Sequence, residues 1–157
     1  MQKKIFITAL LVVLGTNFLL SESQELLGDI TKEEILQNQP DWGEIMASYT
    51  PDKEALAKLE TISHPVEIEV VLGTWCKDSK RHVSEYFKVM DMLDNPNFFT
   101  TYIGIPRDKE ARAPFIEGKD IQKVTTFIVR VDGQEIGRII EIPKSSIEQD
   151  LLDILKR

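Results

Sequence analysis

The pattern of apolar and polar positions changes near residue 65 and predicts a strand followed by a helix. The segment VEIEVVLGT is rich in β-branched residues, alternates at first and then becomes continuously apolar. That pattern is typical of a central strand covered on both faces. In the following segment, DSKRHVSEYFKVMDML, apolar residues recur at helical spacing with charges between them. We therefore predict a strand that ends at Gly73 and a helix that begins a few residues later.

The rest of the chain predicts a second strand, a hairpin and a terminal helix. TTYIGIP is typical of a strand, and KEARAPFIEG of a turn or short helix. TTFIVRV and EIGRIIEI flank Asp132-Gly133, which supplies the positive backbone angles that a tight two-residue turn requires. Ser145 and Ser146 precede a last amphipathic helix. The predicted order is β-α-β-α-β-β-α, an α/β domain.

Residues 24–64 have a helical pattern. The spacing in TKEE, from Thr31 to Glu34, is that of a capping box. Thr50 puts a capping residue before Pro51, which suits the first helical position. An apolar face follows, formed by Leu56, Leu59 and Ile62. We expect two or three short helices in this extension.

Residues 1–23 have the pattern of a secretory signal peptide. Lys3 and Lys4 precede an uncharged apolar run, and small residues surround a cleavage point near Ser23. Cleavage there predicts a periplasmic or secreted protein. The alternative is an uncleaved anchor, which would hold the protein at the membrane.

Charge and motif content narrow the classes of function. The chain has 19 basic and 26 acidic residues; without Lys3, Lys4 and Glu22 it has 17 and 25, a net charge of −8. Nucleic acid is therefore an unfavourable partner. His64 and His82 have no cysteine or carboxylate cluster at ligand spacing, and no phosphate-binding glycine loop is present. We expect neither a metal site nor a cofactor.

Cys76 is the only cysteine of the chain. An internal disulfide is therefore impossible, and an exported protein is left with a reactive thiol or an intermolecular bond. Cys76 lies where the predicted strand gives way to the helix. There the helix dipole and the unpaired amides of the first turn favour the thiolate, which is the attacking form. The alternative interpretation is a buried, inert cysteine.

The segment GTWCKDS, residues 73–79, resembles the WCxDS variant of exported bacterial thioredoxin-like proteins. Together with the order of elements, this resemblance covers roughly residues 65–157. It implies a thioredoxin-like fold, with a central mixed four-stranded sheet flanked by helices, after an N-terminal helical extension over residues 24–64. Two positions depart from thioredoxins, which have a second cysteine where Ser79 stands and a cis-proline where Thr125 stands.

The resemblance implies roles for the residues around Cys76. Ser79 would face the same way as the thiol and could bond to its sulfur, but it cannot attack a mixed disulfide, so an external thiol such as glutathione must resolve the intermediate. Asp78 is a candidate proton acceptor, although a carboxylate in a first helical turn is favoured by the dipole alone. Trp75 would form a wall or a partner contact. Backbone groups next to Thr125 would pair with the partner, and we expect a trans bond before Thr125, because a non-proline cis bond costs about 2.5–4 kcal/mol.

Three functions fit these residues. The first is thiol-disulfide exchange by Cys76 alone, acting on exported proteins or low-molecular-weight disulfides. The second is a non-catalytic thioredoxin-fold binding module in which Cys76 is incidental or only tethers a partner. The third is thiol peroxidase chemistry, because a cysteine at this junction can be oxidised to sulfenic acid. It is the weakest of the three, because a peroxidatic cysteine usually follows a threonine by three positions and here that position is Gly73.

Overall fold

One mixed sheet of five strands organises residues 24–156, the part of the chain that the computed structural model describes. The strands are β1 (Gly28–Ile30), β2 (Val66–Leu72), β3 (Phe98–Gly104), β4 (Thr126–Val131) and β5 (Gln134–Ile140). Their order across the sheet is β1-β3-β2-β4-β5, with β2 and β3 parallel and the other pairs antiparallel. The central position of β2 explains why its second half, from Val70 to Leu72, is continuously apolar.

Helices and short turns connect these strands within the described residues. The helices are α1 (Lys32–Asn38), α2 (Pro40–Ser48), α3 (Lys53–Glu60), α4 (Lys77–Met92), α5 (Ala113–Ile116) and α6 (Ile147–Leu155). A 3₁₀ turn, Glu110–Arg112, leads directly into α5. None of the helices between residues 24 and 156 is long and apolar enough to cross a membrane.

The main core lies on one face of the sheet. Ile68 and Val70 of β2 point into it, and the face is covered by side chains of α1, α2, α3, α4 and α6. Tyr86 of α4 stacks against Phe127 of β4, with ring centroids 5.3 Å apart. Burial of each side chain of this size stabilises the fold by roughly 1.5–3 kcal/mol. The residues of the N-terminal extension therefore share one core with the sheet.

The second face of the sheet is only half covered. Near the carboxyl end of β2, Phe115 and Ile116 pack on an apolar cluster, formed by Val71, Ile103, Ile105 and Val124. The other half of this face is an open groove of about 510 Å³. Phe99 and Glu67 line this groove, and the Phe99 side chain is 55% exposed. The crossover from β3 to β4, residues 105–125, packs near the carboxyl end of β2 and leaves this half uncovered.

The sheet has five strands, so the prediction of four is wrong. The additional strand, β1, lies in the extension that was predicted to be helical, and it pairs antiparallel with β3 through the register Gly28↔Gly104. A strand of three residues is too short to produce a recognisable alternation of apolar and polar positions. Its partner lies far away in the sequence, so only the folded chain reveals it.

The predicted helices of the extension are otherwise confirmed as α1, α2 and α3. The capping box at Thr31 is present: its hydroxyl accepts from the Glu34 amide, and the Glu34 carboxylate accepts from the Thr31 amide. The predicted cap at Thr50 is wrong. Asp52 caps α3 instead, because its carboxylate accepts from the amides of Glu54 and Ala55 at 2.8 and 2.9 Å.

The hairpin and the terminal helix are confirmed. Asp132 and Gly133 connect β4 and β5 with φ of 52° and 73°, as a two-residue turn of this type requires. A β-bulge lies beside Val129 and Arg130. Ser146 caps α6, and the predicted apolar side of that helix is buried. The predicted signal peptide, residues 1–23, lies outside the described residues.

Replacement of Gly104 by alanine is expected to lower the free energy of unfolding by about 1–3 kcal/mol. A Cβ atom at residue 104 would lie 2.1 Å from the Leu26 carbonyl oxygen, so the backbone before β1 would have to move. Urea unfolding measures the effect. Gly43→Ala is the matched control, since nothing lies within 4 Å of its Cβ position on α2. It is expected to stabilise by about 0.5–1 kcal/mol. Equal stability of Gly104→Ala and wild type would contradict the close approach.

Candidate functional site

Cys76 is the N-cap residue of α4, at the junction between β2 and the helix. Its backbone is extended, its amide donates to the Gly73 carbonyl at 2.9 Å, and its carbonyl accepts from the Lys80 amide at 2.9 Å. The Cys76 side chain does not cap the helix. The first amides of α4 have no acceptor within the helix, so the positive end of the helix lies beside the sulfur. The predicted position of the thiol is confirmed.

The Cys76 thiol is half-buried against an apolar wall. Its Sγ donates to the Val124 carbonyl at 3.6 Å, within the range for sulfur. It packs on the cluster that includes Ile105 and Val124, which Phe115 and Ile116 of α5 also contact. The wall fixes one side of the sulfur, and the remaining exposure leaves another side open to solvent.

Ser79 bonds to two other parts of the site. The side chain is fully buried, and its Oγ accepts from the Gly73 amide at 3.2 Å. The same Oγ lies 2.5 Å from the Thr125 hydroxyl. The predicted hydrogen bond to the Cys76 sulfur is replaced by this bridge between the end of β2 and the residue that precedes β4. Ser79 therefore fixes the backbone around the thiol.

The peptide bond between Val124 and Thr125 is cis, so the prediction of a trans bond is wrong. Thr125 is fully buried, its hydroxyl contacts Ser79, and its carbonyl accepts from the Glu141 amide at 2.7 Å. The Thr125 hydroxyl is therefore held by α4, and its carbonyl is held by the residue that follows β5. The local cost of a cis bond favours trans, but a partner of Thr125 lies 46 residues away and is not visible from the local sequence.

Trp75 is held in place by four neighbours of its ring. Its Nε1 donates to the Ile105 carbonyl at 2.9 Å. A Cβ atom on Gly73 would lie 2.5 Å from the ring, so glycine is needed for this close packing. The guanidinium carbons of Arg107 and Arg112 lie 5.5 and 5.1 Å from the ring centroid. The indole is therefore fixed against Gly73 and the Ile105 carbonyl, with two cations that sequence reasoning missed. The role of Trp75 as a wall for the thiol stays a prediction.

Asp78 lies in the first turn of α4 and is partly buried. Its side chain makes no hydrogen bond to any residue between 24 and 156 in the structure. A carboxylate at this position stabilises the helix through the dipole. Its geometry therefore supports the structural interpretation better than a role in proton transfer.

The N-terminal extension contacts the site directly, which sequence reasoning missed. The Leu26 amide donates to the Thr74 hydroxyl at 3.2 Å. The Glu25 carboxylate lies 3.9 Å from Arg107 Nε and accepts from the Arg107 amide at 3.2 Å. The segment before β1 thus borders the loop that carries Trp75 and Cys76.

His82 and Glu85 form a separate buried pair on α4. His82 Nδ1 lies 2.8 Å from Glu85 Oε2, and Arg81 Nε donates to Glu85 Oε1 at 3.0 Å. Burial alone would raise the pKa of Glu85, but the bonds from His82 and Arg81 outweigh it, so this pKa lies below its ordinary value. No group of three or more possible metal ligands is found among residues 24–156.

The Ser79–Thr125 bridge predicts non-additive losses of stability. Ser79→Ala and Thr125→Val are each expected to cost about 1–3 kcal/mol, because each leaves a buried polar group without its partner. The double variant is expected to cost less than the sum, since it removes both hydroxyls together. Urea unfolding of the four proteins measures the coupling. Additive losses would show that the two hydroxyls do not interact.

The Glu85 pair predicts pH-dependent stability. A carboxylate with a depressed pKa stabilises the fold above its ordinary pKa of about 4.3, and this contribution disappears as the pH falls through the lower folded value. Glu85→Gln is expected to lose about 1–3 kcal/mol at neutral pH and to approach wild type in acid. Unfolding from pH 7 to pH 3 measures the difference. Glu44→Gln, an exposed change on α2, is the control; a pH-independent loss in Glu85→Gln would contradict the ionic pair.

Two solved structures that resemble this chain support its fold. A 1.5 Å crystal structure of a protein of unknown function from Pseudomonas aeruginosa has a TM-score of 0.56 and 14% identity, over 79% of this chain and 83% of its own. An HIV epitope-scaffold has a TM-score of 0.57 and 13% identity, over 79% and 84%. No protein-family model and no curated protein matches the sequence. At these identities the likeness concerns the fold alone, a mixed α/β sheet flanked by helices.

Proposed function

We propose that the protein performs thiol-disulfide exchange with Cys76 as its single nucleophile. One observation carries the proposal: the only thiol of the chain is half-exposed at the N-cap of α4, beside the amides of the first helical turn that have no acceptor within the helix. A structural cysteine of the core would be expected to lie away from solvent and from such a positive end.

A thioredoxin-like fold is part of this proposal. It is supported by the parallel pair β2 and β3, the antiparallel pair β4 and β5, and a cysteine directly after the central strand. The WCKDS sequence and the cis bond at Thr125 are further points of resemblance. The fifth strand, β1, extends the sheet beyond β3.

The proposed reaction proceeds through a mixed disulfide. The Cys76 thiolate attacks one sulfur of a disulfide, a new S–S bond forms, and the other sulfur leaves as a thiolate with the electron pair of the broken bond. Ser79 has no sulfur with which to resolve the intermediate. An external thiol, such as glutathione, then attacks the mixed disulfide and regenerates Cys76. We place this reaction in the periplasm or outside the cell, in keeping with the signal predicted over residues 1–23.

The second candidate is a binding module in which Cys76 only tethers a partner. The bonds of the Ser79 hydroxyl to Gly73 and Thr125 favour this candidate. Thioredoxins have a redox-active cysteine at this position, whereas here the residue has a structural role. The partly exposed Trp75 ring would supply the contact surface.

Mass spectrometry of covalent complexes separates the two candidates. Disulfide-linked partners and small-thiol adducts of the wild type, recovered from cells without reductant, are compared with those of Cys76→Ser. Exchange chemistry predicts adducts that disappear in the variant together with reactivity towards small disulfides. Unchanged partner recovery by Cys76→Ser would favour the binding module.

Ser79→Cys is expected to create a second redox-active sulfur. Residues three apart at a helix start lie within reach of a disulfide, so the variant, reduced beforehand, should resolve its own mixed disulfide. In a single turnover without added thiol it should reduce one insulin disulfide per molecule, become oxidised to the 76–79 disulfide, and do so faster than wild type. Loss of the buried hydroxyl is expected to cost about 1–3 kcal/mol of stability.

Ser84→Cys is the matched control for this prediction. Ser84 is another buried serine of α4, but it lies eight residues from Cys76, about 12 Å along the helix, and cannot form that disulfide. Insulin reduction should therefore rise in Ser79→Cys only. A folded Ser79→Cys protein that forms the 76–79 disulfide but gains no activity would favour the binding module.

A further inference from the structure

Arg112 is a preorganised cation over the ring of Trp75, the residue that precedes the candidate nucleophile. Its guanidinium carbon lies 5.1 Å from the centroid of the Trp75 ring, and Trp75 directly precedes Cys76. Arg112 Nε donates to the Pro106 carbonyl at 2.9 Å, and its Nη2 donates to the Arg107 carbonyl at 2.8 Å. A guanidinium has five N–H donors, so these two bonds fix its plane and leave other donors for a ligand.

The charge of Arg112 has no carboxylate partner among residues 24–156. The other four arginines in that range each have a carboxylate within 4 Å, in the pairs Arg81–Glu85, Arg107–Glu25, Arg130–Glu69 and Arg138–Glu135. The chain has seven more acidic than basic residues, so carboxylates are abundant. An arginine that is held by backbone carbonyls and stacked on an aromatic ring is therefore unusual here, and its free charge is available to an anionic ligand.

The structure also puts Arg112 next to the wall of the thiol. Arg112 ends the 3₁₀ turn from which α5 begins, and Phe115 and Ile116 of α5 pack on the same apolar cluster as Cys76. When a disulfide approaches Cys76, one side of the molecule would lie against the apolar cluster that Cys76 packs on. The polar groups of the disulfide could then reach Arg112, which lies over the Trp75 ring. This arrangement suits a small molecule that carries a carboxylate a few bonds from its sulfur.

We propose that Arg112 binds the carboxylate of small anionic disulfides, the class that includes glutathione disulfide, and that these are the preferred reactants of Cys76. The inference rests on the proposed exchange function. The Cys76 thiolate attacks one sulfur, forms an S–S bond to that half of the disulfide, and releases the other half as a thiolate that carries the electron pair. Arg112 is a specificity-determining residue in this step, because it contacts the substrate carboxylate and takes no proton or electron.

Three disulfides of similar size but different charge test the proposal: dithiodiglycolate is anionic, hydroxyethyl disulfide is neutral and cystamine is cationic. The second-order rate constant for mixed-disulfide formation is measured by intact-mass spectrometry, with glutathione disulfide as a further anionic reactant. Arg112→Gln is expected to slow both anionic reactants by about three- to tenfold and the neutral one by less than about twofold. Arg112→Lys should retain part of the preference, and added salt should weaken it in the wild type.

Lys53→Gln is the matched control, since it removes the same charge from an exposed position on α3. An equal slowing in this control would overturn the proposal in favour of an effect of net charge. Equal slowing of all three disulfides in Arg112→Gln would also overturn it, because Arg112 would then only support Trp75. If folded wild type reacts with none of the disulfides, including the neutral one, the exchange function itself fails. Reaction with the neutral disulfide without any preference for anions would overturn the role of Arg112 alone.

Discussion

The buried hydroxyl of Ser79 is the constraint on which the geometry of the site depends. It accepts from the Gly73 amide at 3.2 Å and lies 2.5 Å from the Thr125 hydroxyl, so it joins the end of β2, the first turn of α4 and the residue before β4. A buried polar group is costly unless it has partners, and these contacts therefore hold all three segments together. The Val124 carbonyl lies 3.6 Å from the Cys76 sulfur as one result. A buried serine thus helps to determine where the Cys76 sulfur sits.

The same contact gives a physical reason for serine at this position. A hydroxyl is a stronger donor and acceptor than a thiol, so a cysteine at residue 79 would satisfy the Gly73 amide and Thr125 less well. Serine favours a rigid junction, whereas a second thiol would allow internal resolution of a mixed disulfide. In the proposed reaction the protein therefore depends on outside thiols to resolve the mixed disulfide. Arg112, which has no carboxylate partner among residues 24–156, would select the disulfides from which that intermediate forms.

Local sequence signals predicted the elements whose causes are local. The turn at Asp132-Gly133, the capping box at Thr31 and the junction at Cys76 each depend on neighbouring residues, and each is found. The cap of α3 is a local miss, since Asp52 caps it and not Thr50. The other missed features depend on distant partners. β1 exists through its pairing with β3, and Arg112 reaches Trp75 only because the β3–β4 crossover folds over the loop after β2. The bridge between Ser79 and Thr125, 46 residues apart, has the same origin.

The two outer strands of the sheet determine how the protein meets other chains. β1 is only three residues long, so it offers little backbone to an incoming strand. The opposite edge, β5, carries the charged residues Glu135 and Arg138, and its Ile136 is the extra residue of the bulge opposite Val129 and Arg130. Short, charged and irregular edges disfavour strand addition between molecules. These features of the two edges therefore work against the joining of two copies of this chain into one continuous sheet.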